Sequence, residues 1–177
     1  MNNIYIQLIG VIALVFWVIS IQTKNKTKLL KLQNIANLFY AIQYAFLGAF
    51  SATGMNCISL LKGIVFLKSE KSQKQSSKIQ LIIFSILIIA IGIITFQTWY
   101  SIIPIIITLA YTYSTWQKNA TIIRITFLVA AIGWIIFNTI VGAYSPLIGN
   151  FIELASGITA IVKFDILKKG KENENDK

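Results

Sequence analysis

Histidine is absent from the 177 residues, and cysteine occurs only once, as Cys57. A serine–histidine–aspartate triad, a cysteine–histidine pair and a histidine-rich metal site all need residues that the chain does not have. A phosphate-binding loop of the Gly-x4-Gly-Lys-Ser/Thr type is also missing, which argues against ATP-driven chemistry within the chain. The sequence therefore predicts that the protein is not an enzyme and uses neither a metal nor an organic cofactor.

Acidic residues are scarce as well, with six against sixteen lysines and arginines, and the formal net charge is +10. Charged residues make up only 12% of the chain, whereas hydrophobic residues make up 56%. This composition is more apolar than a soluble domain of the same size requires, and it predicts an integral membrane protein. The basic excess then indicates attraction to anionic lipid headgroups of the bilayer, and no nucleic-acid partner is expected.

Seven apolar segments have about the length that a helix needs to cross the hydrocarbon of a bilayer. They are residues 4–21, 32–50, 52–67, 79–96, 99–116, 122–143 and 147–164. Lysine and arginine concentrate in the links after the first, third and fifth segments and after the seventh, while the other links are uncharged. Under the positive-inside rule, this pattern predicts a multi-pass protein with its N-terminus outside and its C-terminus in the cytoplasm.

The second half of the chain repeats the first at a distance of 94 residues. Between residues 9–67 and 103–161, 16 of 59 positions are identical, and ten of these are neither Ile nor Leu. Such a match indicates a tandem duplication. We predict a three-helix repeat in 1–67, a cytoplasmic loop and linker helix in 68–98, a second three-helix repeat in 99–164 and a disordered cytoplasmic tail in 165–177. Because one linker helix separates the repeats, they are predicted to be parallel.

Three motifs carry a resemblance to a known family: GVIAL at 10–14, FLGAF at 46–50, and Trp134, Asn138 and Gly142 at intervals of four. With them the chain resembles the YgjV-type bacterial inner membrane family over almost its whole length. The arrangement of three, one and three helices also resembles the SWEET and PQ-loop membrane proteins. That resemblance implies two parallel three-helix bundles, with an asparagine on the third helix of each bundle facing a central pocket. Asn56 and Asn150 occupy these places here.

Polar and aromatic side chains inside the apolar segments mark a candidate solute site, because polar groups in hydrocarbon generally face the interior of a bundle. The candidates lie on helix faces that the repeat makes equivalent, and they are Tyr40, Tyr44, Asn56, Trp134, Asn138 and Asn150. Together they are predicted to form a layer of amide and aromatic groups that binds a neutral, hydrogen-bonding solute. The alternative is that the amides bond across helices and only hold the bundle together.

Glu153 is the only acidic residue inside any predicted segment. An ionisable side chain at that depth is a candidate for coupling to protons or for binding a cation, and Lys62 is a second candidate for such coupling. The alternative is a structural ion pair with Lys62, the most deeply placed basic residue. Lys62 lies about 120° from Asn56 around the helix, which predicts that these two side chains do not face the same pocket.

Two functions of different classes are consistent with this pattern. The first is a small transporter or facilitator of a neutral polar solute, with alternating access between the two repeats. The second is a non-transporting membrane protein with a structural or regulatory role in a complex. A pocket lined by the asparagines favours the first, and a dry interface between the repeats favours the second. The sequence leaves open the solute, the coupling ion and whether the chain forms a homo-oligomer.

Overall fold

The computed structural model describes residues 3–21, 26–71, 77–117 and 120–161. These residues form seven α-helices and a short 3₁₀ turn, with no β-strand among them. The elements in chain order are α1 (Asn3–Ile21), α2 (Lys26–Phe46), α3 (Phe50–Lys71), α4 (Lys78–Ile94), the 3₁₀ turn (Trp99–Ser101), α5 (Ile102–Gln117), α6 (Ala120–Val141) and α7 (Tyr144–Ile161). Each predicted apolar segment overlaps one helix, so the prediction of an all-α fold with seven helices is confirmed for the described residues.

The helix limits differ most from the predicted ones in α2. The apolar pattern predicts a start at residue 32, but the helix begins at Lys26, because lysine and leucine are good helix formers in a polar segment too. It ends at Phe46 because a glycine turn follows.

Over the described residues, no helix is both long enough and apolar enough to cross a membrane. The predicted tail, 165–177, lies outside the described residues.

Within the described part of the chain, every helix except α4 belongs to a closed ring. In the ring, α1 packs against α2, α2 against α3, α3 against α5, α5 against α6, α6 against α7, and α7 back against α1. The pairs α1 and α5, α2 and α6, and α3 and α7 therefore lie opposite each other. If α1, α2 and α3 are exchanged with α5, α6 and α7, the order of helices around the ring stays the same. A pseudo-twofold axis through the centre of the ring has this effect. Helix α4 packs against α3 and α5, on the outside of the ring.

The turns that follow α2 and α6 have the same geometry. Gly48 and Gly142 have φ angles of +73° and +69°, in the left-handed region that favours glycine. In each turn, the amide of the next residue donates to the carbonyl five positions earlier, at 2.9 Å after α2 and 3.0 Å after α6. This is the hydrogen bond that ends a helix in a Schellman motif. Because the glycines are 94 residues apart, both halves reverse direction at equivalent places.

Small side chains fill the contacts between helices, and large apolar side chains cover the outside. Ala13, Ala36 and Ala52, on α1, α2 and α3, have no exposed surface, which lets the helix backbones approach closely. On the outside of α4, by contrast, Ile93 and Ile94 expose 72% and 81% of their surface. Each of the other helices also exposes large aliphatic or aromatic residues on its outer face. The described helices thus place many of their large apolar side chains on the outside of the protein.

Replacing Gly48 with alanine is expected to lower the free energy of unfolding by about 1–2 kcal/mol, because a Cβ disfavours the left-handed backbone. No atom of the described residues lies within 4 Å of the added Cβ, so the loss has a conformational and not a steric cause. Gly48→Asn is expected to lose less stability, since asparagine tolerates this conformation. Reversible unfolding in mixed detergent micelles measures both variants, and equal losses would contradict the explanation.

Candidate functional site

A cavity of about 270 Å³ lies at the centre of the ring. Its walls come from all the ring helices, whereas α4 contributes none of the described lining residues. Leu30, near the start of α2, and Tyr44, near its end, both line the cavity, which therefore extends about 21 Å along the helix at 1.5 Å per residue. Its volume is close to the lower limit of ligand sites, roughly 300 to 1,000 Å³. The cavity is suited to a small molecule.

The lining of the cavity follows the repeat. Many of the lining residues form pairs that are 94 positions apart, with one member on each half of the ring. These pairs are Trp17 with Tyr111, Gln33 with Phe127, Tyr40 with Trp134, Met55 with Gly149, Asn56 with Asn150 and Ser59 with Glu153. Both halves therefore build the cavity together, on the axis that relates them.

A chain of hydrogen bonds crosses the ring from α2 to α7. The Tyr44 hydroxyl donates to Oδ1 of Asn138 at 2.7 Å. The Asn138 amide nitrogen donates to Oδ1 of Asn150 at 2.7 Å, and the Asn150 amide nitrogen donates to Oε2 of Glu153 at 3.2 Å. Each amide both accepts and donates in this chain, so its oxygen and nitrogen cannot exchange places without breaking a bond. The orientation of Asn150 in the cavity wall is thereby fixed.

Two side chains of opposite charge line the same cavity, Lys62 on α3 and Glu153 on α7. Lys62 donates from Nζ to the Thr112 hydroxyl at 3.2 Å. Glu153 accepts from Asn150, and the side chain of Trp17 is a further hydrogen-bond partner. Within the described part of the chain, both charged groups thus have neutral partners. They do not form the ion pair that the sequence offered as an alternative, because α3 and α7 lie on opposite sides of the ring.

Lys62 and Asn56 both line the cavity, and the prediction that they face different directions is wrong. The predicted angle of about 120° describes the directions in which the side chains leave the helix. A lysine has a long flexible stem that carries its charged end away from that direction. Here the stem brings Nζ to Thr112 on the neighbouring helix α5. Asn56 instead donates to its own helix, at the Ala52 carbonyl, over 2.9 Å.

Aromatic side chains pack at the end of the cavity near the turn after α2. Tyr44 stacks on Trp134 with ring centres 6.2 Å apart, and it meets the edge of Phe137 at 6.1 Å. Phe137 is fully buried and also packs against Tyr100 of the 3₁₀ turn, at 6.1 Å. Offset and edge-to-face contacts of this kind stabilise aromatic clusters beyond their burial alone. The cluster joins the two halves of the ring at this end.

The structure brings most of the predicted site residues to one cavity. The residues that line it are Tyr40, Tyr44, Asn56, Lys62, Trp134, Asn150 and Glu153. Asn138 is not a lining residue; it is fully buried behind the wall, between Tyr44 and Asn150. Among the described residues, no three His, Cys, Asp or Glu side chains come together as a metal site would require. Amide, hydroxyl and aromatic groups in such a wall can bind a polar organic molecule through hydrogen bonds.

Sequence reasoning missed several residues of the wall. Trp17 and Tyr111 line the cavity from opposite helices, and Thr108 lines it from α5. Aromatic residues and threonines are common in apolar segments, and only the aromatics on α2 and α6, the helices that also carry amides, were predicted as site residues. The repeat carried the missing signal, because Trp17 and Tyr111 are 94 residues apart and both aromatic.

Asn138→Leu is expected to lower the free energy of unfolding by about 3 kcal/mol, because it leaves the Tyr44 hydroxyl and Oδ1 of Asn150 without this partner, at roughly 1–3 kcal/mol each. Tyr44→Phe is expected to cost about half as much, since only one acceptor loses its donor. Thr139→Ala, at an exposed position beside Asn138, serves as the control and should stay within about 0.5 kcal/mol. Equal stability of the Asn138→Leu and Thr139→Ala proteins would contradict a role for the hydrogen-bond chain.

Comparison with known proteins gives one family. The Imp-YgjV family model, described as a bacterial inner membrane protein, matches residues 4–168. Searches of curated proteins and of solved structures give no match. The match covers all the described helices together with the cavity that they surround, and the chain belongs to the Imp-YgjV family of bacterial inner membrane proteins.

Proposed function

We propose that this protein is a small transporter or facilitator that moves a net-neutral polar solute across the bacterial inner membrane. The observation that carries the proposal is the cavity at the centre of the ring, which both halves line with amide, hydroxyl and aromatic side chains. Transport sites of repeat-built membrane proteins lie where the repeats meet. A protein whose halves only needed to pack together would fill this space with side chains, since cavities cost stability.

In this proposal the helices of the ring lie in the bilayer with their large apolar side chains facing lipid. A water-soluble monomer rarely exposes a contiguous apolar patch larger than a few hundred Å². Here the large apolar side chains cover the outer face of each described helix, which supports an apolar surrounding. The alanines between the helices support the same view, because small residues are typical of helix contacts in membranes.

The proposed transport cycle is alternating access between two parallel three-helix bundles, as in SWEET-like proteins. Lys28, Lys31, Lys68 and Lys78 are exposed at one end of the bundle, which the positive-inside rule assigns to the cytoplasm. Leu30 lines the cavity at this same end. The aromatic cluster around Tyr44 packs at the other end. These positions support access from the cytoplasmic side in the conformation described.

Within the cavity, the proposed binding residues act in three ways. Asn56 and Asn150, on the opposed helices α3 and α7, offer amide groups to the solute from two sides. Tyr40 and Trp134 provide apolar faces that exclude water around the solute, and Tyr44 adds a hydroxyl whose position Asn138 fixes. A small number of oriented polar groups in an otherwise apolar wall is the usual composition of a specific ligand site.

Asn56→Ala and Asn150→Ala are each expected to reduce solute uptake at least tenfold, which corresponds to about 1.4 kcal/mol of lost binding. The measurement is uptake of labelled sugars, polyols and amino acids by proteoliposomes that contain the purified protein. Thr139→Ala is the matched control, because Thr139 is exposed on α6 and bonds only within its own helix. If no solute class moves, the transport proposal is wrong and the non-transporting role is favoured. If a solute moves but the asparagine variants transport it as well as the control does, the proposed binding residues are wrong.

The proposed orientation is tested separately, by cysteine labelling in whole cells. Cys57 is exposed and is first replaced with serine. Single cysteines are then introduced at Thr98, in an uncharged link, and at Ser77, beside the basic start of α4. A membrane-impermeant maleimide should label Thr98→Cys in intact cells, and it should label Ser77→Cys only after the cells are opened. The reverse pattern would contradict the proposed orientation, and equal labelling in intact cells would contradict the proposed topology.

A further inference from the structure

Among the described residues, the walls of the cavity carry one positive and one negative side chain, on opposed helices. Lys62 belongs to α3 and Glu153 to α7, which face each other across the ring. Glu153 has Ser59 as its repeat equivalent, so the negative charge has no counterpart on the opposite wall. The cavity is therefore electrically polarised from α3 to α7.

Both charged groups keep capacity for further hydrogen bonds. A lysine ammonium group has three donors, and Lys62 uses one of them on Thr112. A carboxylate has about four acceptor positions, and Glu153 uses only some of them, for the side chains of Asn150 and Trp17. The remaining donors and acceptors are available to a molecule in the cavity that both side chains line.

Two buried charges of opposite sign favour a ligand that compensates both of them. A charge surrounded by apolar groups is costly unless an opposite charge and hydrogen bonds compensate it. Each of these two charges has only neutral partners among the described residues. A solute with a single charge would compensate one wall and leave the other uncompensated. A solute that carries separate positive and negative groups compensates both and adds no net charge to the site.

We propose that the solute is a small zwitterion of the amino-acid type, whose anionic group binds Lys62 and whose cationic group binds Glu153. The proposal rests on the function proposed above and specifies its solute class. Asn56 and Asn150 line the same cavity and supply amide groups for further hydrogen bonds to the solute. Trp17 and Tyr40 border the negative wall, where aromatic faces attract an ammonium group. A cavity of about 270 Å³ is near the lower end of ligand-site volumes, which suits a solute of amino-acid size.

Binding to the purified full-length protein in detergent tests the charge pattern. The probes are alanine, alaninamide, N-acetylalanine and glucose, which carry both charges, the positive charge alone, the negative charge alone and no charge. γ-Aminobutyrate, with a wider separation of its charges, tests the distance between the two binding groups. We expect alanine or γ-aminobutyrate to bind at least tenfold more tightly than either singly charged probe and than glucose.

Two variants should change the preference in opposite directions. Lys62→Met is expected to weaken binding of the zwitterion at least tenfold and to favour alaninamide over N-acetylalanine. Glu153→Gln is expected to weaken it similarly and to favour N-acetylalanine over alaninamide. A reversed preference cannot come from misfolding, which weakens binding of every probe. Lys68→Met, on the same helix but outside the cavity lining, is the matched control and should bind as the native chain does.

The outcomes separate this inference from the proposed function. If glucose or another uncharged solute binds best and is transported, the protein is a transporter and the zwitterion proposal is wrong. If zwitterions bind but Lys62→Met and Glu153→Gln behave as Lys68→Met does, the assignment of the two charged residues is wrong. If no probe binds and no solute moves in proteoliposomes, both the proposed transport function and the zwitterion proposal are wrong.

Discussion

The hydrogen bond between the Tyr44 hydroxyl and the Asn138 side chain is the interaction on which the rest of the site depends. Positions 44 and 138 are equivalent in the repeat, so a direct contact between them has to lie on the axis that relates the two halves. In this place one half supplies a donor and the other an acceptor, at 2.7 Å. The Asn138 amide also donates to Asn150, which in turn donates to Glu153. The contact on the axis therefore fixes the orientation of the side chains in this wall of the cavity.

The distribution of side-chain sizes keeps this polar centre accessible. Buried alanines bring neighbouring helices of the ring together, while the pairs of lining residues hold the opposed helices apart around the cavity. In the proposed bilayer setting, the hydrophobic effect does not compress this interior, because burying the outer isoleucines brings no gain when lipid already surrounds them. Packing and hydrogen bonds then decide the shape of the cavity.

The helices and much of the site could be predicted from the sequence, for separate physical reasons. Apolar runs mark the helices because hydrocarbon excludes charges, but they do not mark helix ends, and α2 continues to Lys26. Asn56 and Asn150 could be identified because the repeat preserves them. The position of Lys62 in the cavity wall could not be predicted. The angle at which a side chain leaves a helix does not show where a flexible stem places its ammonium group. Trp17 and Tyr111 were missed because they lie on α1 and α5, which carry no amide beside them to mark a site.

A single chain with a pseudo-twofold ring can build a site that a dimer of identical half-chains cannot. Two identical half-chains around a true axis would present the same residue on both walls, either two serines or two glutamates at the position of Ser59 and Glu153. Two like charges facing each other in one small cavity repel and cannot both be ionised at little cost. In a single polypeptide, each wall can carry a different residue at this position. The cavity can therefore have two distinguishable ends, which a symmetric dimer of identical half-chains cannot have.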